Sequence, residues 1–435
     1  MKITYPALST ISKRILYFVL FLLLLLLAWA AYINNYGDEE PDSGRDAFYA
    51  RSEVKVPDIQ NLAVAISGIN APKESDMIAH GRFVLNTYYK AQDSDTAKAI
   101  IANQNELKFI GESTEFDCWI NNKVDIKNNN CASPARIESL LLSNKVLLTR
   151  YKNLYDIMYF QGSSKNGMTV VKVNELLLAE IKLDISNNKP EIAYQKWHAN
   201  HQFVSHVLSQ PLELVDRMVY LVVYGYSLNT LEQLLFKAPQ ISTTHFDELQ
   251  LMLKPRSLSW FKIKDLLSAE FHQDNNMFIN KQLANTELHP NYIRNRIYRA
   301  HIDLLNEAQK IPFDYEKSEN ILYQKYHFGP ARLHTLDWLD PLNSLLSKVS
   351  VRNSINCLSM FENIHSKNAL SKLLNLSIQI RQKNIFEAAI QTFLNNAGSD
   401  YNNPFTNKPM LWDAKNKVIY FKEPSSEGRK VAVRL

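Results

Sequence analysis

The chain has 435 residues, of which 46% are hydrophobic and only 11 are glycine. This composition supplies a substantial core but few residues for tight turns or phosphate-binding loops, so we expect a helix-rich protein. The formal net charge is +5. Without the basic residues that precede the first apolar segment the chain is close to neutral, which excludes the basic surface typical of nucleic-acid-binding proteins.

The first element is an uncharged apolar segment of 19 residues, Ile15–Ile33. As a helix it would be about 28 Å long, close to the hydrocarbon thickness of a bilayer, so we predict one transmembrane helix at 15–33. Basic residues precede it and acidic residues follow it, which places residues 1–14 in the cytoplasm and the bulk of the chain outside. A cleaved signal peptide is the alternative, because Ala28-Trp29-Ala30 has the form of a cleavage site.

Residues 34–57 are charged and broken by glycine and proline, which predicts a linker. Residues 58–132 form a mixed subdomain with short apolar runs. Near its end, Cys118 and Cys131 flank a polar, asparagine-rich segment. In an exported protein such a pair commonly oxidises, so we predict a disulfide, which would contribute about 3 kcal/mol of stability. Two unpaired buried thiols are the alternative, and Cys357 is predicted to be a small buried hydrophobe.

A helical domain is predicted over residues 133–399. It begins at Ser133-Pro134, an N-cap followed by a proline at the first helical position. The periodicity then predicts helices at 134–160, 169–183, 190–209, 211–224, 231–236, 246–253, 263–278, near 293–304 and at 368–394. Met218–Tyr226 is the most apolar later stretch, and it predicts a buried core helix. Short connections favour antiparallel pairs in an irregular bundle, because no fixed period supports the alternative of a helical-repeat solenoid.

The pattern changes over residues 400–435. Two short apolar runs, Met410–Trp412 and Val418–Phe421, surround a polar turn and predict a β-hairpin. A hairpin this small is marginal alone, so we expect it to dock on the helices. The predicted fold is therefore mainly α, with an N-terminal transmembrane helix, a helical bundle and a small C-terminal hairpin.

Two segments, Val56–Pro72 and Asn403–Phe421, resemble parts of uncharacterised bacterial single-pass envelope proteins. In that family an Asn-x(6)-Gly-x-x-Ala-Pro pattern follows the anchor and a Pro-Phe-x-x-Lys-Pro turn precedes a hairpin. The matching residues here are Asn61, Gly68, Ala71, Pro72, Pro404, Phe405, Lys408 and Pro409. The resemblance covers both ends of the exported part and implies an anchored, exported, helical protein without an assigned activity.

The best metal candidate is the histidine set His198, His201 and His206. At 100° per residue these three side chains diverge around one helix, and no HExxH motif accompanies them. His201 falls on the apolar stripe of its helix, with Tyr194, Trp197, Val204 and Leu208, which predicts a core histidine. We therefore assign no metal ligand.

Ser259-x-x-Lys262 has the form of the acyl-enzyme motif of penicillin-binding proteins, but the companion S-D-N and K-T-G motifs are missing from the sequence. Glu112 and Glu115 form a carboxylate pair whose spacing alone does not indicate a glycosidase. Arg294, Arg296 and Arg299 lie on one predicted helix; a solvated face with local acid partners and a contact with lipid headgroups are the alternatives. We assign no catalytic residue and no cofactor.

The sequence thus predicts a single-pass protein of the bacterial inner membrane with a periplasmic domain. The bilayer is the expected partner of residues 15–33, an envelope protein is the expected partner of the helical domain, and nucleic acid is not expected. A non-catalytic role in binding or assembly fits the absence of a convergent polar set. The alternative is a cell-envelope hydrolase acting on cell-wall material through Ser259 or a carboxylate pair.

Overall fold

A computed structural model shows a mainly helical protein with a small antiparallel sheet near its C-terminus. The structure describes residues 15, 17–26, 28, 40–50, 55–91, 94–116, 119, 132–274, 290–326, 351–352, 354–424 and 429–435. Cys118 and Cys131 lie outside these ranges, so their disulfide stays a prediction. Cys357 is buried, as predicted.

None of the helices within the described ranges combines a membrane-spanning length with a sufficiently apolar composition. The predicted span Ile15–Ile33 includes residues 16, 27 and 29–33, which lie outside those ranges, as does the predicted cytoplasmic tail 1–14.

The first half of the chain contains eight of the helices that the structure describes. In chain order they are α1 (Arg45–Tyr49), α2 (Leu62–Ser67), α3 (Met77–Lys90), α4 (Ser94–Ala102), α5 (Pro134–Ser143), α6 (Lys145–Asn153), α7 (Gly167–Ser186) and α8 (Pro190–Leu208). The predicted linker thus contains a helical turn, α1, and the described residues of the predicted mixed subdomain include the helices α2, α3 and α4.

The second half continues the helical pattern and ends in strands. The helices are α9 (Leu214–Lys237), α10 (Gln240–Thr244), α11 (Phe246–Met252), α12 (Ile263–Asp274), α13 (Pro290–Ala308), α14 (Tyr315–Lys325), α15 (Leu358–Gln382) and α16 (Ile390–Asn395), and the strands are β1 (Leu411–Asp413), β2 (Val418–Lys422) and β3 (Lys430–Arg434).

The described chain divides into two compact units. The larger comprises residues 51–270, 305–318 and 357–435; the smaller comprises residues 1–50, 271–304 and 319–356. In the larger unit α8 packs against α7 and α9, and α9 packs against α15. Loops of only a few residues join α7 to α8 and α8 to α9, as expected for neighbours in a helical bundle.

Local signals fix several helix starts. The Ser133 hydroxyl accepts a hydrogen bond from Arg136 N at 3.2 Å, and Pro134 occupies the first turn of α5. Pro190 likewise opens α8. These starts match the predicted ones, because a capping oxygen and a proline satisfy or remove the amides that a helix start leaves unbonded.

Four predicted helices differ from the structure. The helix predicted from 134 to 160 breaks at Asn144, whose side chain exchanges hydrogen bonds with the backbone N and O of Ile110 at 2.9 and 2.8 Å. The two helices predicted at 211–224 and 231–236 are one continuous helix, α9. The helix predicted at 368–394 instead begins at Leu358 and ends at Gln382, before Asn384 adopts a left-handed conformation with φ of 51°.

The predicted hairpin is present, and a third strand extends it. The strand order is β1-β2-β3, with Trp412 opposite Ile419 and Ile419 opposite Val433. Ile419, Phe421 and Val433 are buried, and both β2 and β3 contact α15. The sheet therefore docks on the helical body, as expected for an element too small to be stable alone.

The smaller unit has its own buried polar core. Tyr49 stacks on Phe271 with ring centroids 3.6 Å apart, and its hydroxyl lies 2.8 Å from His301 Nδ1. The other ring nitrogen of His301 lies 2.8 Å from the Ser354 hydroxyl. Burial lowers the pKa of His301 to about 3, so this histidine is a neutral hydrogen-bonding residue at physiological pH.

Candidate functional site

The three histidines of α8 do not converge. His201 is fully buried; its Nδ1 lies 3.0 Å from the Ser227 hydroxyl and its ring stacks on Trp197. The full burial of His201 confirms the prediction of a core histidine, and this burial lowers its pKa to about 3. His206 donates to the Met158 carbonyl at 2.7 Å, and His198 Nε2 lies 2.7 Å from a Glu248 oxygen. In the described part of the chain, no group of three possible ligands is placed to hold a metal ion.

The Ser259-x-x-Lys262 motif is also dispersed. Ser259 lies in a 3-10 helix (Leu258–Phe261), is exposed, and its hydroxyl lies 2.7 Å from the Ser257 hydroxyl. Lys262 is exposed and has a φ of 51°. A serine nucleophile needs a base within hydrogen-bond reach, whereas this hydroxyl contacts another serine.

The pair Glu112 and Glu115 stabilises a turn. Glu112 N donates to Glu115 Oε2 at 2.9 Å, and Arg136 Nε donates to Glu115 Oε1 at 2.9 Å. The hydrogen bond from Arg136 is the main cause of the lowered pKa of Glu115. A glycosidase acid requires a raised pKa, so Glu115 lacks the electrostatics of that role.

The arginines of α13 have local partners. Arg299 donates through Nε and a terminal nitrogen to the two carboxylate oxygens of Asp42, at 2.7 and 2.8 Å. Arg296 donates to the Tyr326 carbonyl at 3.0 Å. The expectation of a face with local acid partners therefore holds for Arg299.

The residues of the Asn-x(6)-Gly-x-x-Ala-Pro pattern have structural roles. Asn61 caps α2, accepting from Ala63 N at 3.0 Å. Gly68 follows α2 at a point where a Cβ atom would lie 1.8 Å from the Met77 carbonyl oxygen.

The rest of that pattern surrounds Arg150 of α6. The buried guanidinium donates to the carbonyls of Ile69, Ala71 and Pro72, the last at 2.9 Å. One arginine thereby satisfies carbonyls of a loop that would otherwise be buried without donors. The pattern describes a packed loop, not a reactive site.

The C-terminal pattern is structural as well. The Pro404 carbonyl accepts from Phe313 N at 2.9 Å, and Asn403 N donates to the Lys408 carbonyl at 2.9 Å. Phe405 is buried and its ring stacks on Phe421. This turn therefore joins α16 to the sheet by fixed backbone contacts, while the family resemblance itself stays a prediction.

A cleft of about 570 Å³ in the larger unit is the best candidate site. It lies between α9, α15 and the start of β3, and its volume falls in the range of ordinary ligand pockets. The side chains that matter for recognition are Met218, Val222 and Glu232 from α9 and Met360, Asn363 and Lys367 from α15.

An exposed apolar stripe on α9 leads into this cleft. Val215, Met218 and Val222 follow one another at helical spacings of three and four, with exposed fractions of 69%, 52% and 42%. The opposite face of α9 is buried in the bundle, where Tyr220, Tyr224 and Leu228 pack. Contiguous exposed apolar side chains mark interaction sites in folded proteins. We call Val215, Met218 and Val222 the α9 stripe.

A lysine side chain crosses the floor of the cleft. Gly225 makes room for it, because a Cβ atom at this position would lie 2.7 Å from Lys367 Cε and 2.9 Å from Nζ. Within the described ranges, Lys367 Nζ has neither a hydrogen bond nor an ion pair within 4.0 Å. Burial lowers the pKa of Lys367, and the negative charge of Glu423 partly opposes this effect.

Two other charged groups at the cleft are already paired. Glu232 has a carboxylate oxygen 3.7 Å from Arg434 Nε; burial raises the pKa of Glu232 and Arg434 opposes the shift. Lys430 Nζ lies 2.6 Å from an Asp413 oxygen. The cleft therefore combines apolar contact area with the uncommitted cation of Lys367.

Two further clefts each include a charged group that is engaged elsewhere. One, of about 650 Å³, includes Glu106, which lies 2.8 Å from His80 Nε2. The other, of about 470 Å³, lies beside Trp412 and includes Arg381, which donates to the Leu235 carbonyl at 2.7 Å. Among the described residues that line them, neither cleft has an exposed apolar helical stripe like that of α9.

The α9 cleft was not predicted from the sequence, because Met218–Tyr226 indicated a buried core helix. Most of this stretch is buried, but Met218 and Val222 are not. The sequence did contain a sign of this exposed face. Val215, Met218 and Val222 fall on one face of α9, and the apolar side chains of Tyr220, Tyr224 and Leu228 fall on the opposite face. A helix that is apolar all round needs cover on every face.

No family model matches the chain, and neither a curated protein nor a solved structure matches it.

Proposed function

We propose that the chain is a membrane-anchored envelope protein whose larger unit binds a protein partner through the α9 stripe and the adjoining cleft. The observation that carries this proposal is the exposure of Val215, Met218 and Val222 on a helix whose other face is buried. Exposed apolar side chains lose contact with water when a partner covers them, and this burial favours association.

The anchor is the second part of the proposal. Residues 17–26 are helical, carry no charge and are exposed along their whole length. Apolar side chains on every face of a helix suit an environment of lipid chains. With basic residues before the segment and acidic residues after it, we propose a cytoplasmic N-terminus and a periplasmic larger unit at the bacterial inner membrane.

The hydrolase alternative has less support. Ser259 contacts another serine, the pKa of Glu115 is lowered, and no histidine or cysteine lines the α9 cleft within the described ranges. Binding requires only the shape and charges described above, whereas hydrolysis requires a nucleophile or activated water with a base beside it.

The test is photo-crosslinking in intact cells with the full chain. A benzophenone amino acid replaces Val222 in one variant and Leu142 in the control, because Leu142 is 76% exposed on α5, away from the cleft. We expect a defined crosslinked species from position 222 that is absent from position 142. Adding Met218→Asp to the position-222 variant should abolish it, since a buried carboxylate at the interface would lose its hydration.

Equal crosslinking from both positions, or a position-222 product that persists with Met218→Asp, would contradict the proposal. The topology is tested separately with alkaline phosphatase, which is active only outside the cytoplasm, inserted after Gly398 in a turn with open space around it. An inactive but stably expressed fusion would refute the orientation.

A further inference from the structure

We propose that the partner segment bound at the α9 cleft carries a carboxylate, and that Lys367 is the residue that receives it. This inference rests on the proposed function and adds the chemistry of the bound segment. It derives from the position of one amine, unpaired within the described ranges, in a cleft that also presents apolar side chains of α9.

The first argument is steric. Lys367 runs along Gly225, which presents no side chain to it, so any larger residue at 225 would displace the amine. Its Cδ, Cε and Nζ atoms all lie against Gly225, and the residue lines the cleft. The amine therefore lies beside the backbone of Gly225 at the cleft.

The second argument is electrostatic. A partly buried ammonium loses hydration, and proteins normally compensate with an ion pair or hydrogen bonds. In the described part of the chain, Lys367 has no such partner within 4.0 Å. Glu423 is the acid whose charge acts on it, and that carboxylate accepts a hydrogen bond from the Ser366 hydroxyl. A ligand carboxylate would supply the missing counter-charge.

The third argument concerns the length of the ligand. The α9 stripe runs from Val215 to Val222, about 10 Å along the helix, and the cleft continues it to Glu232. A binding surface of this length suits a polypeptide segment with apolar side chains at regular intervals, as in helix-in-groove recognition. The carboxylate of that segment would be an Asp or Glu side chain that reaches Lys367 from within the apolar contact.

The experiment uses the full chain in phosphatidylcholine nanodiscs. A phage library of random 12-residue peptides is selected against the parent protein, and clones that still bind Val222→Asp are removed. Selected peptides should combine apolar residues with an acidic one. We then measure affinities by fluorescence anisotropy for each peptide and for its Asp→Asn or Glu→Gln counterpart.

Lys367→Met keeps the length and apolar character of the stem, and Lys372→Met is the matched control. Lys372 lies on the same helix, is buried, and donates to the Asn402 carbonyl at 3.3 Å outside the cleft. We expect the peptide's amide counterpart to bind the parent about tenfold more weakly, as for a charge-assisted hydrogen bond. This difference should vanish in Lys367→Met and persist in Lys372→Met.

Each other result has a defined meaning. If the peptides that depend on Val222 bind Lys367→Met and the parent with the same affinity, the carboxylate inference is overturned and the proposed function stays intact. Failure to select any Val222-dependent peptide would overturn both. Sodium laurate is the second probe: Lys367-dependent binding of laurate without peptide binding would overturn the polypeptide assignment and indicate an acyl carboxylate.

Discussion

Gly81 provides a sharp test of how α2 and α3 pack. A Cβ atom at Gly81 would lie 1.9 Å from the Val64 carbonyl oxygen and 3.0 Å from Gly68 N, so both obstructing atoms belong to the backbone. Gly81→Ala must therefore separate the two helices by about 1 Å. Every residue of α2 is buried, so this movement would disturb a tightly packed segment.

The expected cost follows from two opposing effects. Overpacking costs about 3 kcal/mol at the upper end of its usual range, while alanine in a helix interior gains about 1 kcal/mol over glycine. We expect a net loss of about 2 kcal/mol, or a melting temperature about 2 °C lower for a protein of this size. The assay is thermal unfolding of the full chain in nanodiscs, followed by circular dichroism.

Gly225→Ala is the matched control, because it has the same gain in helix propensity. Its new Cβ meets only the flexible end of Lys367, so its melting temperature should equal or exceed that of the parent. If Gly81→Ala also melts at or above the parent temperature, the close approach of α2 and α3 does not limit stability, and the packing argument is wrong.

Three further predictions concern buried polar and aromatic groups. Arg150→Lys should lower the free energy of unfolding, measured in guanidinium chloride, by about 3 kcal/mol. The single ammonium group of lysine cannot replace the several hydrogen bonds of the arginine side chain, and an unchanged unfolding midpoint would contradict this. Phe421→Ala should lower the free energy of unfolding by about 3–5 kcal/mol. Trp412→Ala should lower it clearly less, because Phe421 is 1% exposed whereas Trp412 is only half-buried. Equal losses would show that the exposed part of Trp412 is covered. Burial lowers the pKa of Lys182 to about 7. Between about pH 7 and 10 the unfolded chain therefore binds more protons than the folded chain, and the stability of the parent rises with pH in this range. Lys182→Met should therefore raise the melting temperature at pH 7, with an advantage that shrinks by pH 10; a constant difference would refute the assignment.

Helix starts were predictable where a short local signal determines them. Ser133-Pro134 and Pro190 act through their own backbone and side chains, so the sequence alone contains the cause. The end of α15 also had a local signal, since Asn384 adopts the left-handed conformation that terminates helices. The break at Asn144 had none, because its hydrogen bonds go to Ile110, which is distant in sequence.

The candidate site could not be assembled from sequence for the same reason. Lys367 and Gly225 are 142 positions apart, and only the packing of α15 on α9 makes the glycine informative. Periodicity indicated that α9 was apolar but not which of its faces remains uncovered. Neighbouring helices decide that, and their placement depends on long-range contacts that a local pattern does not encode.

The third strand has a practical consequence for work on this protein. β3 pairs along β2, contacts α15, and borders the α9 cleft through residues 430–432. Removing residues 430–435 would therefore unpair a strand, expose the sheet edge and open one wall of the cleft in a single step. Deletion mapping from this end would attribute lost binding to a missing recognition sequence when the wall itself had collapsed. Point substitutions on α9 and α15 separate those two causes, because they leave the sheet intact.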